Sequence, residues 1–452
     1  MENIYDNYNR IFFSGVLGVS MSALCKHSLA LGKSVGGSDV NVGKCDSDLV
    51  RLPVSLYKDN LRENVESFNP DALVYTSAIS PFNQEINYAK TRGIPLIKRS
   101  VFLNECIKGF RKRIGVCGSH GKTTTTSMLA HCLIADNLNP TVFLGGEDLE
   151  FGNYRYGDGE FALVEACEYK KNFLDLKVNY SIVLNIDNDH LESYNDMQDM
   201  IGAYNEFSSN GVAIINADDH NCHKLTNSNS VTFGINNSAT YMAKKITFNG
   251  KGYSFTLFRN GVAKTKIDLM VEGKHNVYNA LAVCTLADLL GVSLTTVKDC
   301  LSTFTGVKRR MEGIGFYEGL ECITDYAHHP KEIKATLKAI EERGKEYLVV
   351  FQPHTFSRTK MLLGEFVKEL SAVNRLIIYQ TYPAREIYDK DGSSKRLYEE
   401  IKKSTKTDVY HACDENTLKM LINGNKEHVE GIIFLGAGDI YNVAKNLVEK
   451  KR

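Results

Sequence analysis

The chain has 452 residues, which at about 150 residues per domain suggests roughly three domains. Its 43% hydrophobic and 24% charged residues match soluble globular proteins and exclude collagen-like, coiled-coil and extensively disordered classes. Lys plus Arg and Asp plus Glu both number 54, so no global basic field attracts nucleic acid, and any anionic ligand must be held by local devices.

No stretch approaches the roughly 18 apolar residues of a membrane span, so no membrane insertion is expected. The start, MENIYDNYNR, lacks the cationic then apolar order of a signal peptide, and a cytoplasmic location is expected. The eleven cysteines form no C-x-x-C pair and their number is odd, which indicates neither a disulfide framework nor a zinc site.

In chain order, residues 11–13 form an apolar strand, GVLGVSMS turns the chain, and residues 21–31 show helical periodicity up to Gly32. Strands are predicted at 73–75 and 95–97, with a helix over 82–91. A second α/β unit starts with a strand at 114–117, a Gly/Ser/His loop and a helix over 122–135; strands follow at 161–166 (FALVEA) and 181–187 (SIVLNID). Residues 231–269 read as short alternating segments with Asn/Gly turns, expected to be antiparallel. A third unit carries buried-strand runs at 346–351, 375–380 and 431–438, with a helix over 331–343. The expected fold class is therefore α/β in three domains: 1–104, 105–306 and 307–452.

The strongest local signal is Gly118-Ser119-His120-Gly121-Lys122-Thr123, between a strand and a helix. Such a loop curls backbone N–H groups around phosphate oxygens at a helix N-terminus; Lys122 would reach the β/γ-phosphates and the Thr123 hydroxyl would hold Mg2+. The strict phosphate-loop pattern puts a first Gly at 116, where this chain has Val116, so the loop is shorter. Glu165 ends one buried strand and His190 follows another by three residues; ligands bind at that edge of an open α/β sheet. A carboxylate or imidazole there can equally be a cap or a structural group.

Lys308-Arg309-Arg310 is either a solvated charge run or, facing a nucleotide, the source of an arginine for the γ-phosphate. Asp325-Tyr326-Ala327-His328-His329-Pro330 and Phe351-Gln352-Pro353-His354-Thr355-Phe356-Ser357-Arg358 each follow an apolar strand and suggest a cleft. His329-Pro330 could also simply start a helix, with Pro330 in its first position.

Together, SGVLGVSMSAL, TSAISPFNQE, GVCGSHGKTTTT, EACEYKKNF, NIDNDH, HNVYNA, GVKRRME, DYAHHP, FQPHTFSRT and GAGDI, in this order, resemble the Mur ligases of peptidoglycan synthesis. Pairing EACEYKKNF with FQPHTFSRT is closest to the family's alanine-adding branch. The resemblance implies a Rossmann-like N-terminal domain for the UDP-sugar, a central P-loop ATPase-type domain and a Rossmann-like C-terminal domain that closes over ATP and brings the amino acid. It implies ATP- and Mg2+-dependent joining of L-alanine to UDP-N-acetylmuramate through an acyl phosphate, by a monomer or weak homodimer that binds no nucleic acid.

Carried over by residue, the resemblance makes Lys122 the β/γ-phosphate contact, Thr123 and Glu165 ligands of one Mg2+, and His190 a ligand of the second. Gly118, Ser119, His120, Gly121 and Thr124 complete the phosphate loop; Asn276 and Asn279 meet the base, Arg310 the γ-phosphate and Asp325 the nucleotide side of the third domain. His354 and Arg358 would contact the amino acid. Gly15, Gly18, Ser20, Met21, Ser22 and Ser77 resemble the diphosphate contacts, and Asp39 the acidic residue that contacts the nucleoside. Ser20 replaces a family Gly, Thr324 the first of two paired aspartates and Ser119 a common Thr; none removes a group essential to the chemistry. The alternatives are the related ligase that attaches a preformed peptide during wall recycling, and a non-catalytic UDP-sugar binder.

Overall fold

The computed structural model describes residues 7–43, 47–76, 79–80, 82–188, 193–404 and 408–449. The chain packs as two compact units, one made of Met1–Thr247, Ser254–Asp268 and Val277–Thr305, the other of Phe248–Tyr253, Leu269–Asn276 and Gly306–Arg452.

The first unit holds two sheets. In the first, β1 (Arg10–Ser14), β2 (Ser34–Asp39), β3 (Val54–Lys58), β4 (Ala72–Tyr75) and β5 (Leu96–Lys98) pair in parallel in the order β3-β2-β1-β4-β5. The order reverses between β1 and β4, which opens a crevice beyond their carboxyl ends, where the turn after β1 lies. Helices α1 (Val19–Ala30), α2 (Arg62–Phe68), α3 (Gln84–Arg92) and α4 (Arg99–Ile107) cover it. The expected domain join at residue 104 falls inside α4, so the passage to the next sheet comes after Ile107.

The second sheet has ten strands: β6 (Lys112–Cys117), β7 (Thr141–Asp148), β8 (Gly152–Arg155), β9 (Phe161–Glu165), β10 (Tyr180–Val183), β11 (Val212–Asn216), β12 (Ser230–Gly234), β13 (Tyr241–Phe248), β14 (Tyr253–Arg259) and β15 (Val262–Asp268). Their order is β15-β14-β13-β12-β11-β10-β6-β9-β7-β8, which puts β6 between β10 and β9. Helix α5 (Lys122–Ala135) leaves from the end of β6; α6 (Met197–Ser208), α7 (His275–Leu289) and α8 (Leu294–Thr303) follow. Two expectations change here. The strand read over 181–187 stops at Val183, and the residues after it turn to the phosphate loop, Asn185 O and Oδ1 accepting from Ser119 N and His120 N. The region read as antiparallel starts with β12 in parallel register on β11; β14 and β15 form the antiparallel pair.

The two sheets meet through α1 and β8: Asn153 Nδ2 donates to Val19 O at 2.6 Å and to Ser22 Oγ at 2.7 Å, and His27 Nδ1 lies 2.9 Å from Tyr154 Oη.

The second unit is built on β16 (Glu312–Tyr317), β17 (Leu320–Asp325), β18 (Tyr347–Phe351), β19 (Arg375–Tyr379), β20 (Asp408–Ala412) and β21 (Gly431–Leu435) in the order β16-β17-β21-β18-β19-β20. β16 and β17 are antiparallel; the rest run parallel. Every residue of β18 and β21 is buried, as central strands covered on both faces must be. Helix α9 (Pro330–Glu341) starts with a capping box in which His329 is the N-cap and Glu332 reaches back, Pro330 filling the first turn. Helix α10 (Phe356–Met361) follows β18. Residues 269–276 are tied to this unit by Arg343, whose guanidinium takes both Glu272 oxygens (2.7 and 2.5 Å) and Glu321 (2.9 Å).

Candidate active site

The phosphate loop joins β6 to α5, and its geometry depends on two glycines in the left-handed region, Gly118 (φ 141°) and Gly121 (φ 85°). Gly121 is also sterically required, since a Cβ there would stand 2.5 Å from Asn279 Oδ1. The segment after β10 braces the loop: His120 N donates to Asn185 Oδ1 (2.8 Å), Asn185 Nδ2 returns a bond to His120 O (3.1 Å), and Asp187 N donates to Ser119 Oγ (2.8 Å). Lys122 Nζ donates to Gly118 O (2.5 Å), Ser119 O (3.2 Å) and Glu168 Oε1 (2.9 Å). Burial alone disfavours its charge, but the acids around it, Glu168 foremost, outweigh burial and hold the lysine above its ordinary pKa. It is a permanent cation at the head of a helix, suited to phosphate.

Thr123 Oγ1 donates to Glu165 Oε2 at 2.8 Å, and Gly145 N donates to the same oxygen at 2.7 Å. Gly145 makes room for that carboxylate: a Cβ would lie 2.8–2.9 Å from its atoms. A hydroxyl and a carboxylate side by side are the hard oxygen donors that suit Mg2+, which takes few protein ligands and completes its shell with water and phosphate. Among the described residues there is no group of three or more His, Cys, Asp and Glu arranged for a metal ion. His190 and Ser77 lie outside the described residues.

Asn276 and Asn279 are both buried on α7, three residues apart and so on one helix face. In the first sheet, Gly15 (φ 83°) turns the chain after β1, with its N–H on Ser38 O, and Gly18 caps α1. Asp39 accepts from Leu17 N (3.3 Å) and Asn41 N (3.0 Å), so it shapes the turn at the crevice. Two of the expected contacts have side chains engaged elsewhere. The Met21 side chain is 2% exposed and belongs to the hydrophobic core, because its helix position faces the sheet; only its backbone can meet a ligand. The Ser22 hydroxyl is engaged by Val19 O and Asn153 at the junction of the two sheets.

In the second unit, Arg310 lies between two residues of positive φ, Arg309 (60°) and Met311 (49°). Its guanidinium sits 5.1 Å from the Tyr326 ring centroid and 3.8 Å from Glu332. Asp325 is buried, and its oxygens accept from Met311 N (2.9 Å), Ala327 N (2.8 Å) and Thr336 Oγ1 (3.2 Å), which ties it to the Arg310 loop. Burial pushes its carboxyl pKa up, against the pull of Arg310. His354 Nδ1 and Arg358 Nη1 are 3.3 Å apart, while the His354 ring stacks on Tyr382 (5.5 Å) and meets His328 edge-on (5.6 Å). His328 Nδ1 is 3.1 Å from Glu332. Cations at Arg310 and Arg358, with aromatic rings between, can grip an anionic group at each end.

Three family models match in chain order: the Mur ligase family catalytic domain over residues 10–111, the Mur ligase middle domain over 116–287 and the Mur ligase glutamate ligase domain over 309–438. The chain belongs to the Mur ligase family. Similar Mur ligases include UDP-N-acetylmuramate–L-alanine ligases of Caldanaerobacter subterraneus subsp. tengcongensis, 38% identical over 100% of both chains, and of Acetivibrio thermocellus, 36% identical over 99% of this chain and 97% of that one. The crystal structure of UDP-N-acetylmuramate-alanine ligase MurC from Thermotoga maritima matches at TM-score 0.84 and 30% identity, covering 98% of this chain and 99% of that one.

For a Mur ligase, the sequence motifs bring together Lys122, Thr123 and Glu165 in one unit and Arg310, His354 and Arg358 in the other. Two residues escaped the reading. Glu168 lies inside the EACEYKKNF motif but shows no periodic or spacing signal that distinguishes it from a surface acid. Tyr382 follows β19 in a segment with no motif, and only the fold carries it to His354.

Proposed function

We propose that this Mur ligase joins L-alanine to UDP-N-acetylmuramate in peptidoglycan precursor synthesis, with ATP converted to ADP and phosphate. The carrying observation is the Lys122, Thr123 and Glu165 constellation at the end of β6, with the 2.8 Å Thr123–Glu165 contact. A carboxylate is a poor electrophile, so ATP phosphorylates the muramoyl carboxylate, and the amine of alanine attacks the acyl phosphate and expels phosphate. Lys122 holds the β/γ-phosphates, Arg310 neutralises charge growing on the transferred phosphoryl, and Asn276 and Asn279 contact the base. Bound Mg2+ would neutralise crowded phosphate oxygens, with Thr123 and Glu165 holding one ion and His190 the other. The crevice beyond β1 and β4, with Gly15, Gly18, Ser20 and Asp39, takes the UDP-sugar, and Ser77 is assigned to its diphosphate by the sequence motif alone. Arg358 grips the alanine carboxylate with a planar fork and His354 supports it. The enzyme works in the cytoplasm as a monomer or weak homodimer.

The test is ADP release with UDP-N-acetylmuramate, scanned over the twenty amino acids and over muropeptide-type tripeptides. Alanine leading the scan is expected; a tripeptide leading it would reassign the chain to the recycling ligase, and no ADP release would leave only a UDP-sugar binder. Lys122→Ala should abolish ADP release while calorimetric binding of UDP-N-acetylmuramate persists.

A further inference from the structure

We propose that Glu168 is the counter-ion that holds Lys122 and makes nucleotide binding depend on a divalent cation. This rests on the reading of the loop as the ATP site. Glu168 lies three residues after Glu165, its side chain is 1% exposed, and its backbone oxygen accepts from Tyr194 Oη at 2.6 Å, which pins the residue in place. One carboxylate oxygen takes Lys122 at 2.9 Å. The other, Oε2, is buried with no hydrogen-bond partner among the described residues.

An ammonium has three protons, and those of Lys122 face three acceptors: Gly118 O, Ser119 O and Glu168 Oε1. A phosphate oxygen can engage Lys122 only by displacing one of them. Two are carbonyls of the loop itself; the third is a charge of the same sign as the phosphate. If phosphate takes the lysine, Glu168 remains a buried carboxylate without a cation, and stranding one partner of a buried pair is strongly unfavourable. A divalent cation bound with the nucleotide, held by the neighbouring Thr123 and Glu165, would offset that loss by adding positive charge to the site. Phosphate and cation therefore bind with positive coupling, and Glu168 is the group through which they are coupled. It acts as a positioning residue, through Lys122.

The experiment titrates ADP calorimetrically into wild type, Glu168→Gln and Glu165→Gln, each with Mg2+ and with EDTA. ADP carries the β-phosphate that Lys122 would hold and is not turned over. Wild type should bind ADP much more tightly with Mg2+. In Glu168→Gln the Mg2+-free affinity should rise, and the Mg2+ enhancement should shrink by roughly tenfold or more, within the usual range of site-to-site coupling. Glu165→Gln should weaken Mg2+-ADP without tightening ADP alone. Should Glu168→Gln fail to fold by its melting curve, Glu168→Asp, whose shorter arm retreats from Lys122, should show the same change in smaller measure. An unchanged enhancement ratio in the folded variant overturns the inference. Absence of ADP binding to wild type under both conditions would instead overturn the ATP-site reading.

Discussion

Gly145 sits where β7 passes the Glu165 carboxylate, and no side chain fits that space. In Gly145→Ala the new methyl group must push Glu165 away from Thr123. The Mg2+ concentration for half-maximal turnover should then rise while the melting temperature changes little; an unchanged Mg2+ titration would remove Glu165 from the metal. Arg358→Lys keeps the charge but loses the planar fork, so the KM for alanine should rise strongly while those for ATP and UDP-N-acetylmuramate hold. Similar changes in all three KM values, with a lowered melting curve, would make Arg358 structural. Legibility at this scale follows chemistry. Lys122 and Glu165 were readable because a Gly-rich loop and a strand end announce them. The burial of Met21 and Asp325 was not, because no local pattern reports whether a side chain packs into the core or against a neighbouring loop.

Among the elements, α9 tests how a helix start supports a catalytic loop. Glu332 closes the capping box on the backbone of His328 (3.1 Å) and His329 (3.3 Å), and also faces Arg310 and the His328 ring. Glu332→Ala should cost about 1 kcal/mol of stability through the cap and also lower kcat. Glu332→Gln keeps an acceptor for the cap but removes the charge, so the melting temperature should recover while kcat stays low. If both recover together, Arg310 draws nothing from Glu332. Helix α5 was legible to the residue, and β1, β9 and β18 nearly so, because continuous apolar runs end in turn signals. β2 was not: its sequence SVGGSD carries Gly36 and Gly37, which propensity counts against a strand. The fold requires them, since a Cβ at Gly36 would lie 2.7 Å from the Phe68 ring.

Across the whole molecule, the junction of the first two sheets gives stability a pH dependence. His27 is 2% exposed, and burial lowers its pKa from 6.5 to about 4. The unfolded chain therefore binds a proton in that window while the fold does not, so stability is full above about pH 6.5 and falls as pH drops towards 4. The loss is up to about 3 kcal/mol. His27→Gln should flatten the fall in melting temperature between about pH 7 and about pH 5; a variant curve parallel to wild type would show that other groups dominate.

The chain changes unit after Thr247, Tyr253, Asp268, Asn276 and Thr305. A gene split at 305/306, where the sequence invites a cut, would therefore not release a self-sufficient C-terminal half. The fragment 306–452 would leave Glu272 behind, so that Arg343 keeps only Glu321 and the Tyr347 hydroxyl of these partners, and would lose the Tyr253 hydroxyl from Glu342. Expressed by itself it should be poorly soluble, and co-expression with residues 1–305 should rescue it, as in split-protein complementation. In ribosomal order, the short stretches 248–253 and 269–276 are finished well before the sheet that receives them. Bonded to each other through Leu269 N on Tyr253 O (2.9 Å), they wait for Glu342 and Arg343 until the end of α9 emerges, a delay no rearrangement of domain boundaries in the gene can remove.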